Sequence, residues 1–160
     1  MPDSQVHADD ERCLRLAIAL SRRSREEGNH PFAAMVVDVD GSILAQACNA
    51  SREDCTGHAE VDAVRAAWTA RPAHGLTRAT LYSSAEPCAM CAGAIYWSGI
   101  ARVVYALSEE YLLTLTGDHP ENPTLSLPCR EVFARGQRPV EVVGPLLETE
   151  AVTAHAGFWK

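Results

Sequence analysis

The chain is 160 residues long, about one domain, with 47% hydrophobic residues, 22% charged residues and a formal charge of −7. No apolar run approaches the roughly 18 residues of a membrane span, and the acidic surplus argues against nucleic acid as the main partner, because polyanions are bound chiefly through Lys and Arg. The start, MPDSQVHADDERC, has neither the basic residues nor the apolar stretch of a secretory signal, and six cysteines are too sparse for a disulfide scaffold; the expectation is a single cytoplasmic domain over residues 1–160 whose reduced thiols are available to a metal.

Asp9–Glu27 carries Leu14, Ile18 and neighbouring apolar residues at helical spacing and stops at Gly28-Asn29-His30-Pro31, which predicts a first helix. Phe32–Val39 and Ser42–Cys48 are β-prone runs around Asp40-Gly41, read as an antiparallel hairpin with a two-residue turn. A polar loop precedes a half-buried helix over His58–Ala70, broken at Arg71-Pro72, and a short strand follows at Thr80–Ser83. Pro87 opens a helix through Cys88-Ala89-Met90-Cys91 to Trp97, with Ser98-Gly99 as its end, and Arg102–Ala106 is a fourth strand. Glu109–Leu115 is predicted helical, and Thr116–Pro128, rich in proline, is a loop long enough to serve a function. Cys129–Ala134 as helix, Val140–Val143 as a fifth strand and Leu147–Trp159 as a closing helix complete the chain. Strands separated by helices after an opening hairpin predict an α/β fold, a three-layer α/β/α sandwich on a mixed five-stranded sheet. The helices carrying His58 and Cys88 then both begin at the sheet edge where sites gather.

Gly57-His58-Ala59-Glu60 and Glu86-Pro87-Cys88-Ala89-Met90-Cys91 together hold three zinc-type ligands, His58, Cys88 and Cys91, and one carboxylate. Two cysteines three apart share one helical turn and can meet a single ion, while a helix N-terminus favours their thiolates. Three protein ligands leave a fourth position for water, whose pKa zinc lowers to about 7. Glu60, two residues beyond His58, lies near the metal without chelating it, placed to move protons while hydroxide attacks an amine-bearing ring carbon and ammonia leaves. A competing reading joins Cys55 to these ligands: Cys55-x-x-His58 with Cys88-x-x-Cys91 spells a closed structural zinc site of an interaction module.

H-x-E followed by P-C-x-x-C is the signature of zinc nucleobase deaminases. From about Asn29 to Ala106 the chain resembles the cytidine/deoxycytidylate deaminase superfamily, with Pro31-Phe32-Ala33-Ala34, Asn49, Leu81-Tyr82-Ser83 and Arg102-Val103-Val104-Tyr105 as companion matches. The resemblance implies zinc on His58, Cys88 and Cys91 and Glu60 as the proton shuttle. Ala92-Gly93-Ala94-Ile95-Tyr96-Trp97 looks most like the bacterial guanine deaminases, implying hydrolysis of the exocyclic amine of a free base or a related small heterocycle. Deamination of tRNA adenosine, or of cytosine or a nucleoside, is the alternative within the superfamily. A departure is Asp54-Cys55-Thr56-Gly57, where relatives commonly carry Pro at the position of Cys55 and Ala at that of Gly57.

The resemblance further implies a substrate-binding set of Asn49 as an amide contact, Ala59 beside the ligands, and Phe32 and Trp97 as stacking surfaces that could equally be core. A carboxylate after the fourth strand would read the ring edge; among Glu109, Glu110 and Asp118 the reading favours Asp118. Trp159, with Phe158, is expected either to close over the site mouth or to cap the core. A homodimer is expected from the relatives. Met90 is assigned to packing, Cys13 and Cys48 to buried thiols, and His7, His30, His74, His119 and His155 to loops or surface.

Overall fold

The computed structural model describes residues 5–71 and 75–160. The expected break at Pro72 and the loop assignment of His74 lie outside the described residues. Helix α1, Asp10–Glu26, is followed by strands β1, Ala33–Val37, and β2, Ile43–Cys48, helix α2, Ala59–Ala70, and strand β3, Thr80–Ala85. Helix α3, Ala89–Ser98, leads to β4, Arg102–Leu107, then α4, Glu109–Thr116, α5, Cys129–Ala134, β5, Glu141–Val143, and α6, Glu148–Val152. Among the described residues, no helix is long and apolar enough to cross a membrane.

One mixed sheet runs in the order β2-β1-β3-β4-β5. β1 is antiparallel to β2 and β3, whereas β3, β4 and β5 are parallel. The period-two alternation of the central strands divides the core. Ala34, Val36, Leu81, Val103 and Tyr105 face α2, α3 and α5, while Met35, Val37, Tyr82, Val104 and Ala106 face α1 with Leu14 and Ile18. These two clusters make the three layers. At the start of α1, fully buried Asp10 accepts hydrogen bonds from both terminal guanidinium nitrogens of Arg102, at 2.7 and 2.8 Å, and from the Tyr82 hydroxyl at 2.9 Å.

Strand direction positions the site. Ala33 pairs with Cys48 and Ala34 with Ser83, so the start of β1, the end of β2 and the carboxyl ends of β3 and β4 share one edge. Residues just before β1, after β2 and after the parallel strands therefore converge there.

Three expectations are corrected. The hairpin has a three-residue turn: Gly41 N donates to Asp38 O, Asp38 N to Ser42 O, and Gly41 takes φ +85°, a type I turn closed by a left-handed glycine. The closing helix is only Glu148–Val152, because successive turns follow it and Gly157 is left-handed at φ +68°. Finally, His30 and His155, assigned to loops or surface, are only 5% and 3% exposed.

Candidate active site

His58 is the N-cap of α2 and Cys88 the N-cap of α3, both with extended backbone, so each side chain stands at the mouth of its helix. Cys91 is one turn further along α3 and fully buried. The Nδ1 of His58 lies 3.6 Å from each of the Cys88 and Cys91 sulfurs. Ideal tetrahedral zinc with Zn–S near 2.3 Å and Zn–N near 2.0–2.1 Å places such atoms about 3.5–3.6 Å apart, so the donor set fits the ion. Among the described residues, only these three donors form a metal-binding group, their atoms within 4.8 Å of one another. Cys55 is not part of it, which corrects the closed four-ligand reading: Cys55 is an exposed residue at the cavity rim. The Cys88 thiol is lowered to about 4, first by the hydrogen bond from Cys91 and also by His58, together outweighing burial. Cys91 is pushed the other way by donating that bond, by burial and by nearby Glu60.

Glu60 is buried, 6% exposed, one residue into α2 from Ala59. Its Oε1 accepts from Ser83 Oγ at 2.7 Å, and Oε2 lies 3.5 Å from Cys91 Sγ. Burial raises its pKa more than the Ser83 bond lowers it.

Above the donors opens a cavity of about 580 Å3 lined by His58, Ala59, Glu60 and Cys88, and also by Phe32, Asn49, Met90 and Glu109. Asn49, Ala59 and Phe32 are thus brought together with the candidate metal donors. Trp97 is not: it ends the far side of α3, 85% exposed, six residues or about 9 Å of helix beyond Cys91. Asp118 is exposed and outside the cavity, although Leu112 before it and Glu121 after it line the wall. Of the three candidate carboxylates Glu109, Glu110 and Asp118, Glu109 lines the cavity, its pKa raised to about 7 by burial and then by the negative Cys88, Glu86 and Glu60. Trp159 does not line the cavity either. It packs edge-on against His30 at 5.2 Å and tilted against Phe32 at 6.1 Å, backing the wall those two residues form. The tail accordingly sits as a cap behind the site rather than across its mouth.

Several lining residues carried no sequence signal that the reading used. Met90, assigned to packing, stands at the rim, 37% exposed. His30 lines the cavity three residues before β1 begins at Ala33, and that position near the strand start was the available clue. Glu121, Asn122, Pro123, Thr124 and Leu125 bring the long loop over the mouth. Buried Glu86 accepts the backbone N–H groups of Glu109 and Cys129, both at 3.0 Å, tying α4 and α5 to the end of β3. Gly57 is explained by space: a Cβ there would stand 2.9 Å from Asp54 O and 3.1 Å from Ala50 C and O.

A family model for the cytidine and deoxycytidylate deaminase zinc-binding region matches residues 7–107. The chain is 42% identical over 160 residues to a probable cytosine deaminase of Schizosaccharomyces pombe, covering 99% of this chain and 98% of that one. It is 42% identical over 96 residues to a guanine deaminase of Bacillus subtilis, covering 58% and 61% of the two chains. The structure of guanine deaminase from Nitrosomonas europaea superposes with a TM-score of 0.79 at 27% identity, covering 98% of this chain and 88% of that one. The protein belongs to the cytidine and deoxycytidylate deaminase family; it is a hydrolytic deaminase, and zinc is its metal.

Proposed function

We propose that residues 1–160 act as one cytoplasmic catalytic domain that hydrolyses the exocyclic amine of a free nucleobase or a related small aminated heterocycle, with guanine the first candidate. The observation that carries this is the placing of Glu60, His58 and Cys88 in the wall of a cavity whose size suits a small molecule, with Cys91 buried beside them. Asn49 and Glu109 supply the polar wall: an amide for a ring oxygen or nitrogen, and a carboxyl group for the N–H edge that a purine offers. Phe32 supplies an aromatic surface. The full-length likeness to a probable cytosine deaminase favours cytosine as the second reading. A polyanion such as tRNA is disfavoured by the charge of −7 and by Glu109 and Glu121 in the cavity wall.

Zinc supplies a Lewis acid that makes a water nucleophilic near neutral pH. Everything else falls to the chain. Glu60 receives a proton from the attacking water, passes it to the ring nitrogen beside the amine-bearing carbon, and returns one to the departing amine, so that water and the amino-heterocycle become the oxo-heterocycle and ammonia. Ser83 holds Oε1 of Glu60, leaving Oε2 on the ligand side for this traffic.

A homodimer belongs to the same proposal. Trp68 and Trp97, 47% and 85% exposed, border a groove with Val61, Val64 and Ala94 between α2 and α3, an apolar surface suited to a second copy. Sedimentation of the protein and of Trp97→Lys tests it; equal, monomeric mass in both refutes the dimer. For the reaction, ammonia release is measured against guanine, cytosine, adenine, their nucleosides, aminotriazines and tRNA. Turnover of a free base in preference to tRNA is the expected result; turnover of tRNA alone overturns the proposal.

A further inference from the structure

We propose that His30 is a positioning residue that sets the orientation of the Asn49 side chain through Ser51, with Glu121 holding the imidazole in place. The inference rests on the reading of Asn49 as a ring contact and deepens it.

Asn49 Oδ1 accepts two hydrogen bonds from Ser51, from the backbone N at 3.0 Å and from Oγ at 2.7 Å. With the oxygen so engaged, the amide NH2 is the end left for the cavity that Asn49 lines, and Asn49 meets substrate as a donor. The single hydroxyl proton of Ser51 is committed to Asn49. Its Oγ can therefore only accept from His30 Nδ1, which lies 3.5 Å away and is the longest link of the chain. The other imidazole nitrogen, Nε2, is 2.9 Å from Glu121 Oε2, and an ionised carboxylate only accepts. When all links are made, both ring nitrogens donate, and a directed chain runs from His30 to Ser51 to Asn49 with Glu121 as its anchor.

The ring is held on its other sides too. His30 is 5% exposed, with Phe32, Phe158 and Trp159 edge-on at 6.4, 5.7 and 5.2 Å, and its carbonyl accepts from Ser24 Oγ at 2.7 Å. His30 thus joins the loop carrying Glu121 and the C-terminal aromatics to the Asn49 amide in the cavity wall. Without the chain, the Asn49 amide is free to turn its oxygen towards a substrate acceptor, an unpaired contact that costs about tenfold in kcat/KM.

The test uses two variants that split the imidazole. His30→Asn keeps a donor near the position of Nδ1, and His30→Gln keeps one near Nε2; both lose similar packing. Ammonia release from guanine and cytosine, and the side-chain NH2 resonances of Asn49 in the free zinc protein, are the readouts. The expected result is near-native behaviour in His30→Asn, and about tenfold loss of kcat/KM with shifted or broadened Asn49 resonances in His30→Gln and Ser51→Ala. In an Asn49→Ala background the His30→Gln loss should vanish. Equal effects of the two His30 variants, or an undiminished His30→Gln loss without Asn49, overturns the inference alone. If Asn49→Ala turns over normally, the reading of Asn49 as a ring contact fails, and this inference with it.

Discussion

His155 is the buried histidine whose titration should be visible in the stability of the whole protein. It is 3% exposed, its ring stacks on Trp159 at 6.2 Å and meets Phe32 edge-on at 5.3 Å, and its Nδ1 accepts from the Trp159 indole N–H at 3.1 Å. Burial lowers its pKa to about 4, with Arg25 adding in the same direction. An indole nitrogen only donates, so that hydrogen bond requires the neutral ring. As pH falls, the unfolded chain takes up the proton first, near 6.5, and the folded chain only near 4; the stabilisation is complete above the first value and is lost progressively towards the second. With those two values the loss between pH 8 and pH 5 is about 2 kcal/mol. In a domain of this size, 1 kcal/mol moves Tm by about 2–4 °C, so a fall of about 4–8 °C is expected from this group. Thermal unfolding at pH 5 to 8 of the protein and of His155→Phe isolates it, since zinc loss and other titrations affect both alike. His155→Phe should lack this part of the pH dependence. Curves that stay parallel within about 1 °C would show that His155 is not held neutral by burial.

Four further outcomes are expected. Glu60→Gln keeps one zinc per chain, by metal analysis, and loses about 10²–10⁴-fold in turnover; near-native rates would rule Glu60 out as the proton carrier. Cys55→Ser retains its zinc, while Cys88→Ser and Cys91→Ser lose it, and the opposite pattern would restore the closed four-ligand site. Arg102→Ala strands the buried Asp10 carboxylate, which burial pushes up but hydrogen bonds from Arg102, the His7 backbone and Tyr82 bring below its ordinary value; urea unfolding should show a loss of about 3–5 kcal/mol at pH 7, shrinking as pH falls and Asp10 becomes protonated. Deleting residues 157–160 removes Phe158 and Trp159 from behind His30 and Phe32, so Tm should fall by several degrees and KM should rise together; an unchanged Tm would mean the tail supports nothing.

Local chemistry explains which parts of this protein could be read before folding. Cys88 and Cys91 fall on one helical turn whatever surrounds them, and His58 with Glu60 opens another helix, so the candidate donor group and the carboxylate beside it were legible from spacing. The apolar run Ala33–Val37 and the Val-containing β4 were legible as strands, and the structure buries each on both faces. Recognition of the ring was not legible in the same way. Glu109 and Asp118 are both acidic residues after β4, and only the folded path of the chain separates them. Trp97 has the composition of a stacking residue, but helix length carries it away from the metal.

What the sequence determined by itself is therefore the metal chemistry and the layered α/β plan, because both depend on residues a few positions apart and on periodicities of 2 and 3.6. Only the tertiary structure decided that His30, Glu121, Asn49 and Glu109 meet at one sheet edge, and that the C-terminal aromatics stand behind the wall instead of over the mouth. Those residues lie far apart in the chain, and their meeting follows from strand order, register and the path of a proline-containing loop, quantities that no local pattern of side chains encodes.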